Sequence, residues 1–150
     1  MRSNSRATKK LVDAVFLDAN ILMYAAGMDH PLKEPCRAAL ERAVSRRAAL
    51  VTDTEVLQEI LYRYFALRRS DAARTVYSAA VRLCAEVLPV TEANTARALA
   101  LLLERPKLSA RDAIHVATME ACGTRRILST DADFDSVPEV ERIDPSRFLI

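Results

Sequence analysis

The sequence contains very little glycine, no tryptophan and only two histidines. With two glycines in 150 residues, a fold rich in tight hairpins is disfavoured, because such turns need residues that tolerate positive φ. Cysteine is also scarce, and Cys36, Cys84 and Cys122 are too far apart to form a CxxC pair. These absences argue against a disulfide framework and a cysteine zinc site, so we expect reduced, buried thiols in a cytoplasmic protein.

The chain also lacks a marked excess of either charge and any long apolar run. It has 22 Lys and Arg against 20 Asp and Glu, a formal charge of +2, which does not by itself predict nucleic-acid binding. No apolar stretch reaches membrane-spanning length, and Asp13 and Asp18 interrupt the stretch that would form the core of a signal peptide. We expect a basic, flexible tail over residues 1–12 and a single domain over residues 13–150.

Basic residues nevertheless concentrate in two places. The first ten residues carry four cations and no acid, and a second cluster lies mid-chain at Arg63, Arg68, Arg69 and Arg74. Either cluster could be an ordinary solvated surface or a surface that faces RNA or a partner protein, and the sequence leaves both interpretations open.

Short apolar segments alternate with longer segments of helical spacing. The apolar segments predict strands at residues 14–17, 49–52, 87–90, 126–129 and 139–143. Between them, helices are expected to begin near Pro31, Ser70, Thr91 and Ser109, and Gly123 is placed to end the last one. Strands separated by helices imply parallel crossovers, and hence a three-layer α/β/α sandwich with a central, mainly parallel sheet. In such sheets, ligands bind beyond the carboxyl ends of the strands.

Acidic residues follow the predicted strands. Asp18 comes after the first strand, and Asp112 opens the helix that leads into the fourth. The remaining acids follow the second and fourth strands: Asp53, Glu55 and Glu59, then Asp131, Asp133 and Asp135. Taken singly, each has a structural explanation as a helix cap or turn residue, including capping boxes from Thr52 to Glu55 and from Ser109 to Asp112.

Taken together, these carboxylates point to a cation site. Several acids at one sheet edge repel one another and raise each other's pKa unless a cation neutralises them. Oxygen ligands without Cys or His clustering favour Mg²⁺ or Mn²⁺ over zinc, and such an ion could polarise a phosphodiester and activate water. His115, one turn after Asp112, could orient that carboxylate or face solution, and a structural role is the simpler expectation. Ser109 and Thr130 read as a cap and a strand end rather than as nucleophiles.

Four segments resemble the motifs of the PIN-domain family, and within it the VapC-like toxins. They occur in the family's order over residues 15–145, and they read VFLDANIL at 15–22, VLQEIL at 56–61, RDAIHVA at 111–117 and LSTDADFD at 128–135. The resemblance implies a parallel α/β/α sandwich and Mg²⁺- or Mn²⁺-dependent endoribonuclease activity. It also implies restraint by a cognate antitoxin protein and, in many members, a homodimer.

The resemblance assigns roles to particular residues. It makes Asp18, Glu59, Asp112 and Asp131 the acids that hold the metal, and it favours Glu59 over Glu55, which the residues alone left open. Asp133 would be a second ligand beside Asp131, and Asn20 would support Asp18. We further expect Thr130 to help place a carboxylate or water, and arginines near the pocket to hold the RNA backbone.

Two other functions remain open from the sequence. The fold could be a catalytically silent module that binds protein or RNA, or it could be a metal-dependent nuclease that acts on DNA. A partner surface is also conceivable on the second and third helices, although apolar residues at such positions are more often core; the residues concerned are Leu40, Val44, Leu57, Leu61 and Phe65.

Overall fold

A computed structural model describes residues 11–148, and its centre is a five-stranded sheet in which every pair of neighbouring strands is parallel. The strands are β1 (Val15–Leu17), β2 (Leu50–Asp53), β3 (Glu86–Leu88), β4 (Arg126–Leu128) and β5 (Glu141–Ile143). Their order in the sheet is β3-β2-β1-β4-β5, so β1 lies in the middle.

Within residues 11–148 six α-helices flank this sheet, and the predicted α/β/α sandwich is confirmed. The helices are α1 (Ala19–Ala26), α2 (Lys33–Ser45), α3 (Thr54–Ala66), α4 (Ser70–Leu83), α5 (Glu92–Glu104) and α6 (Ala110–Cys122). Two short 3₁₀ turns, at Ala132–Ser136 and Pro145–Arg147, precede and follow β5. No helix among residues 11–148 is both long and apolar enough to cross a membrane.

The central strands form the core. Phe16, Leu17, Ile127 and Leu128 are completely buried, as expected where helices cover both faces of a parallel sheet. Burying each of these side chains stabilises the fold by about 1.5–3 kcal/mol. All three cysteines are buried and unpaired, as predicted; burial raises the pKa of Cys36 to about 11 and that of Cys84 to about 12, so both stay protonated thiols.

Some helix ends follow the sequence signals and others do not: α4 begins at Ser70, but the residue before it, Arg69, makes no side-chain capping bond. Thr91 forms a capping box with Asn94, and Gly123 ends α6 at a φ of 81°. The predicted capping box between Thr52 and Glu55 is wrong, because β2 continues one residue further than expected. The Thr52 hydroxyl therefore lies inside the sheet and donates to the Leu17 carbonyl at 3.0 Å, and the residue after it caps α3.

The predicted N-terminal tail is described only in part. Residues 1–10 of the predicted tail lie outside the described residues, whereas the Leu11 N–H donates to the Cys122 carbonyl at 2.7 Å.

Of the apolar positions suggested as a partner surface, two are partly buried against the core and three are exposed. Leu40 and Leu57 form the first group, and Val44, Leu61 and Phe65 form the second.

Candidate active site

The register of the sheet places Asp18 beside Ser129. Leu17 of β1 pairs with Leu128 of β4, so the residues that follow them leave the sheet at the same edge. The Ser129 hydroxyl donates to Asp18 Oδ2 at 2.6 Å, and both residues are buried. No role was predicted for Ser129 from the sequence; the signal available was that it follows β4 as Asp18 follows β1.

Asn20 completes the support of Asp18, in the position that the sequence predicted. Its amide Nδ2 donates to Asp18 Oδ2 and to the Ser129 hydroxyl, each at 3.1 Å. Its Oδ1 accepts from the backbone N–H of Thr130 at 3.2 Å, so Thr130 takes part through its backbone. Asp18 also caps α1, since its Oδ1 accepts from the Ala19 N–H at 2.8 Å. Both carboxylate oxygens are thereby fixed.

The turn after β4 brings a second group of acids to the same edge. The Ser129 hydroxyl accepts from the Asp131 N–H at 3.0 Å, and Asp131 Oδ1 accepts from the Asp133 N–H at 2.9 Å. One carboxylate oxygen each from Asp112, Asp131 and Asp133 lies within 4.8 Å of the others. Ser129 therefore links the two groups of acids, because its hydroxyl donates to the Asp18 carboxylate and accepts from the Asp131 N–H.

Glu59 enters the pocket from α3. One of its oxygens, an oxygen of Asp18 and a ring nitrogen of His115 lie within 4.8 Å of one another. Arg111 Nη1 contacts Glu59 Oε1 at 3.1 Å, and Arg111 Nε contacts Glu55 Oε1 at 3.4 Å. Glu55 is thus an ion-pair partner rather than a helix cap, and Glu59 is the acid that faces Asp18.

Among the described residues His115 makes no hydrogen bond to Asp112, and it does not face solution, so neither of these two alternatives holds; its burial agrees with the structural role that was the simpler expectation. It is completely buried, and its Nδ1 lies 2.8 Å from Oδ2 of Asp53, which is also completely buried. Asp53 is the last residue of β2; its Oδ1 accepts from the Val56 N–H at 2.9 Å and its Oδ2 from the Thr118 hydroxyl at 2.9 Å. The sequence signal reached only as far as position: His115 shares a helix face with Asp112, three residues before it, and so lies near the acids, whereas its pairing with Asp53 is a contact across 62 residues.

Burial, and to a lesser degree mutual repulsion, raises the pKa values of the pocket acids. Burial raises the pKa of Asp18 and of Glu59 above their ordinary values. Burial, followed by the charges of Asp18 and Asp131, raises the pKa of Asp112 to about 7. Burial alone would lower the pKa of His115, but its bond to Asp53 and the nearby acids outweigh burial and raise it to about 9. The pocket therefore favours an added positive charge, and its carboxylate oxygens fit a divalent cation.

A profile described as PIN domain matches residues 15–140, which include all four motif segments. This chain belongs to the PIN-domain family. Its VapC-like character is shown by Ribonuclease VapC13 of Mycobacterium tuberculosis, which is 41% identical over 129 residues, or 86% of this chain and 98% of that protein. The family match therefore covers both groups of acids.

Solved structures share the fold of this PIN-domain chain. VapC20 of Mycobacterium tuberculosis, described as a sarcin-ricin loop cleaving toxin, superposes with a TM-score of 0.68 at 20% identity, covering 83% of this chain and 95% of that one. A toxin–antitoxin complex from Klebsiella pneumoniae superposes with a TM-score of 0.62 at 20% identity, covering 87% of this chain and 97% of that one.

The acid pocket makes the metal-free protein less stable as the pH rises. The pKa of Asp112 is about 7 in the folded state against an ordinary 3.8, so between these values the folded protein binds more protons than the unfolded one. His115 acts in the same direction up to its pKa of about 9. In EDTA, we expect the melting temperature to fall from about pH 5 to about pH 8, and Asp112→Asn to flatten this fall.

Asp135→Asn is the matched control for this titration. The bond to Arg142 lowers the pKa of Asp135. The contribution of the Asp135 carboxylate to stability is therefore constant above about pH 5, because it is ionised in both the folded and the unfolded protein there. The fall in melting temperature should persist in Asp135→Asn. An equal slope in Asp112→Asn and the wild type would contradict the assignment of the fall to the pocket.

Proposed function

We propose that this PIN-domain protein is a divalent-metal-dependent endoribonuclease and the toxin of a toxin–antitoxin pair. The observation that carries the proposal is the convergence of Asp18, Glu59, Asp112 and Asp131 at one edge of the sheet. Two described groups of ligand atoms meet there, and the two are joined through Ser129. Relatives named ribonucleases, with their high coverage of both chains, supply the reaction class.

The four acids, with Asp133 at the rim, would hold Mg²⁺ or Mn²⁺. When bound, such an ion polarises a phosphodiester and lowers the pKa of a bound water. The chain's own contribution is to fix the ligands: Ser129 and Asn20 orient Asp18 before any ion arrives, which is the usual work of residues behind a metal ligand. Arg111 balances the charge of Glu59 at 3.1 Å.

Positive charge beside the pocket suits an RNA backbone. A cleft of about 300 Å³ is lined by Asn20, Glu59, Tyr24, Arg63 and Arg69, among others. Two members of the basic cluster noted in the sequence therefore lie next to the proposed ligands, where they would hold phosphates flanking the scissile bond. We accordingly favour RNA binding for these two arginines over the solvated-surface interpretation.

The proposal includes protein partners. A structural neighbour is described as a toxin–antitoxin complex, and VapC20, which shares the VapC name with the ribonuclease relatives, is described as a toxin. We propose a separate antitoxin protein that restrains this chain, and a homodimer as the form in which the chain acts. Both parts of the proposal extend the family relationship.

The test of the nuclease assignment is cleavage of a panel of structured RNAs by the purified chain with Mg²⁺, Mn²⁺ or EDTA. We expect metal-dependent cutting that Asp18→Asn and Asp112→Asn each reduce by more than about 100-fold, the upper range for removing a residue that only supports a ligand. Asp135→Asn should retain activity, because it removes an acid of the same turn that is paired with Arg142 on the surface.

Different failures of this test mean different things. Full activity in both pocket variants would refute the site. Cutting of DNA but not RNA would replace the substrate class, and the absence of both cutting and metal-induced stabilisation would favour a silent binding module.

The arginine assignment has its own test, made by measuring RNA affinity in EDTA over a range of salt concentrations. Arg63→Gln and Arg69→Gln should each weaken binding and reduce the slope of log affinity against log salt by about 1. Arg74→Gln is the control, since Arg74 lines a different groove with Leu61 and Phe65. Unchanged slopes in both cleft variants would remove these residues from the RNA-binding surface.

A further inference from the structure

We infer that Nε2 of His115 is a direct ligand of the divalent cation, so that the site presents one imidazole nitrogen together with carboxylate oxygens. This inference rests on the proposed metal-dependent function and names a ligand beyond the acids of the four motifs. It also predicts the site's preference among metal ions.

The first observation is an unsatisfied nitrogen. His115 is completely buried, and Nε2 has no hydrogen-bond partner among the described residues. Buried polar atoms are almost always hydrogen-bonded, because an unpaired one loses its interaction with water without compensation. The nitrogen therefore has a missing partner, and a cation accounts for it.

The second observation is position. A ring nitrogen of His115 lies within 4.8 Å of oxygens from both Asp18 and Glu59. Nδ1 is already engaged by Asp53 at 2.8 Å, so Nε2 is the nitrogen available to an ion in that group. Two carboxylates alone would be an ordinary acidic cluster, and the unpartnered imidazole beside them is what indicates a ligand.

The third observation is the way in which the ring is held. Metal-binding histidines commonly donate their other ring N–H to a carboxylate, which fixes the tautomer and makes the free nitrogen a better ligand. Asp53 occupies that position and is itself held by the Val56 N–H and the Thr118 hydroxyl. Phe16 packs against the imidazole with ring centroids 5.2 Å apart. The arrangement fixes Nδ1 as the donor to Asp53, so Nε2 is the nitrogen from which a bound cation would displace the proton.

A nitrogen ligand changes which ions the site prefers. Mg²⁺ takes oxygen ligands almost exclusively, whereas imidazole suits the first-row transition metals. We therefore expect His115→Asn to lower Mn²⁺ affinity by at least about tenfold and Mg²⁺ affinity by less. Asparagine can place an amide donor where Nδ1 was and keep the contact to Asp53, but it has no atom in the place of Nε2.

The experiment uses the full chain without a histidine tag and without RNA, with Mn²⁺ as the probe. The chain has only two histidines, and the other, His30, is exposed, with Nδ1 accepting from the Leu32 N–H. In a His30→Asn variant any imidazole signal must come from His115. Pulsed EPR of Mn²⁺ bound to this variant should show ¹⁴N coupling, and ¹⁵N-labelled histidine should replace it with ¹⁵N coupling.

This design does not depend on whether His115→Asn folds, because the labelled His30→Asn protein retains the native site. Where His115→Asn does fold, it should lose the nitrogen coupling. Bound Mn²⁺ without nitrogen coupling would overturn the inference and leave the carboxylate pocket and the proposed nuclease intact. Failure to bind Mn²⁺ at all would overturn it as well, and the RNA cleavage panel then decides whether the proposed function falls with it.

Discussion

Parallel pairing of β1 with both β2 and β4 is the constraint on which the rest of the structure depends. It sends the residues that follow these strands, Asp18, Ser129 and the end of β2 at Asp53, to one edge of the sheet. The helices that cross back over the sheet then add Glu59 and Asp112 to the same edge. The fold thus gathers acids in a partly buried place, and burial first, then repulsion between the acids, raises the pKa of Asp18, Glu59 and Asp112.

Neighbouring side chains reduce the repulsion between these acids. Ser129 and Asn20 donate hydrogen bonds to Asp18, and Arg111 forms an ion pair with Glu59. His115 lies beside the acids, with its Nδ1 engaged by Asp53. These partners neutralise part of the charge within the chain itself. What remains is a set of fixed oxygens and the Nε2 of His115, which has no partner among the described residues and whose proton a bound cation would displace. An arrangement that costs stability in the metal-free protein is a common feature of sites built to bind.

Much of this could be predicted from the sequence. The order of apolar and helical segments predicts the parallel sandwich, and Gly123 and Thr91 act at helix ends as their residue types suggest. The places of Asp18 and Asp131 after their strands predict that these two acids lie at the edge, whereas the choice of Glu59 over Glu55 came from the resemblance to the PIN-domain family. The roles of Ser129 and His115 could not be predicted in this way, because each depends on a contact across more than 60 residues of chain. The predicted helix cap at Thr52 was wrong for a similar reason. The local sequence does not show that this hydroxyl lies inside the sheet, where it donates to the Leu17 carbonyl.

The central claim is that these acids, which are far apart in the sequence, together form one cation-binding site. The most direct measurement is an anomalous difference map from crystals of the full chain grown with Mn²⁺. The account predicts a peak within coordination distance of Asp18 and of at least one of Asp112 and Asp131. An ion bound only elsewhere on the surface, or none at saturating Mn²⁺, would contradict it.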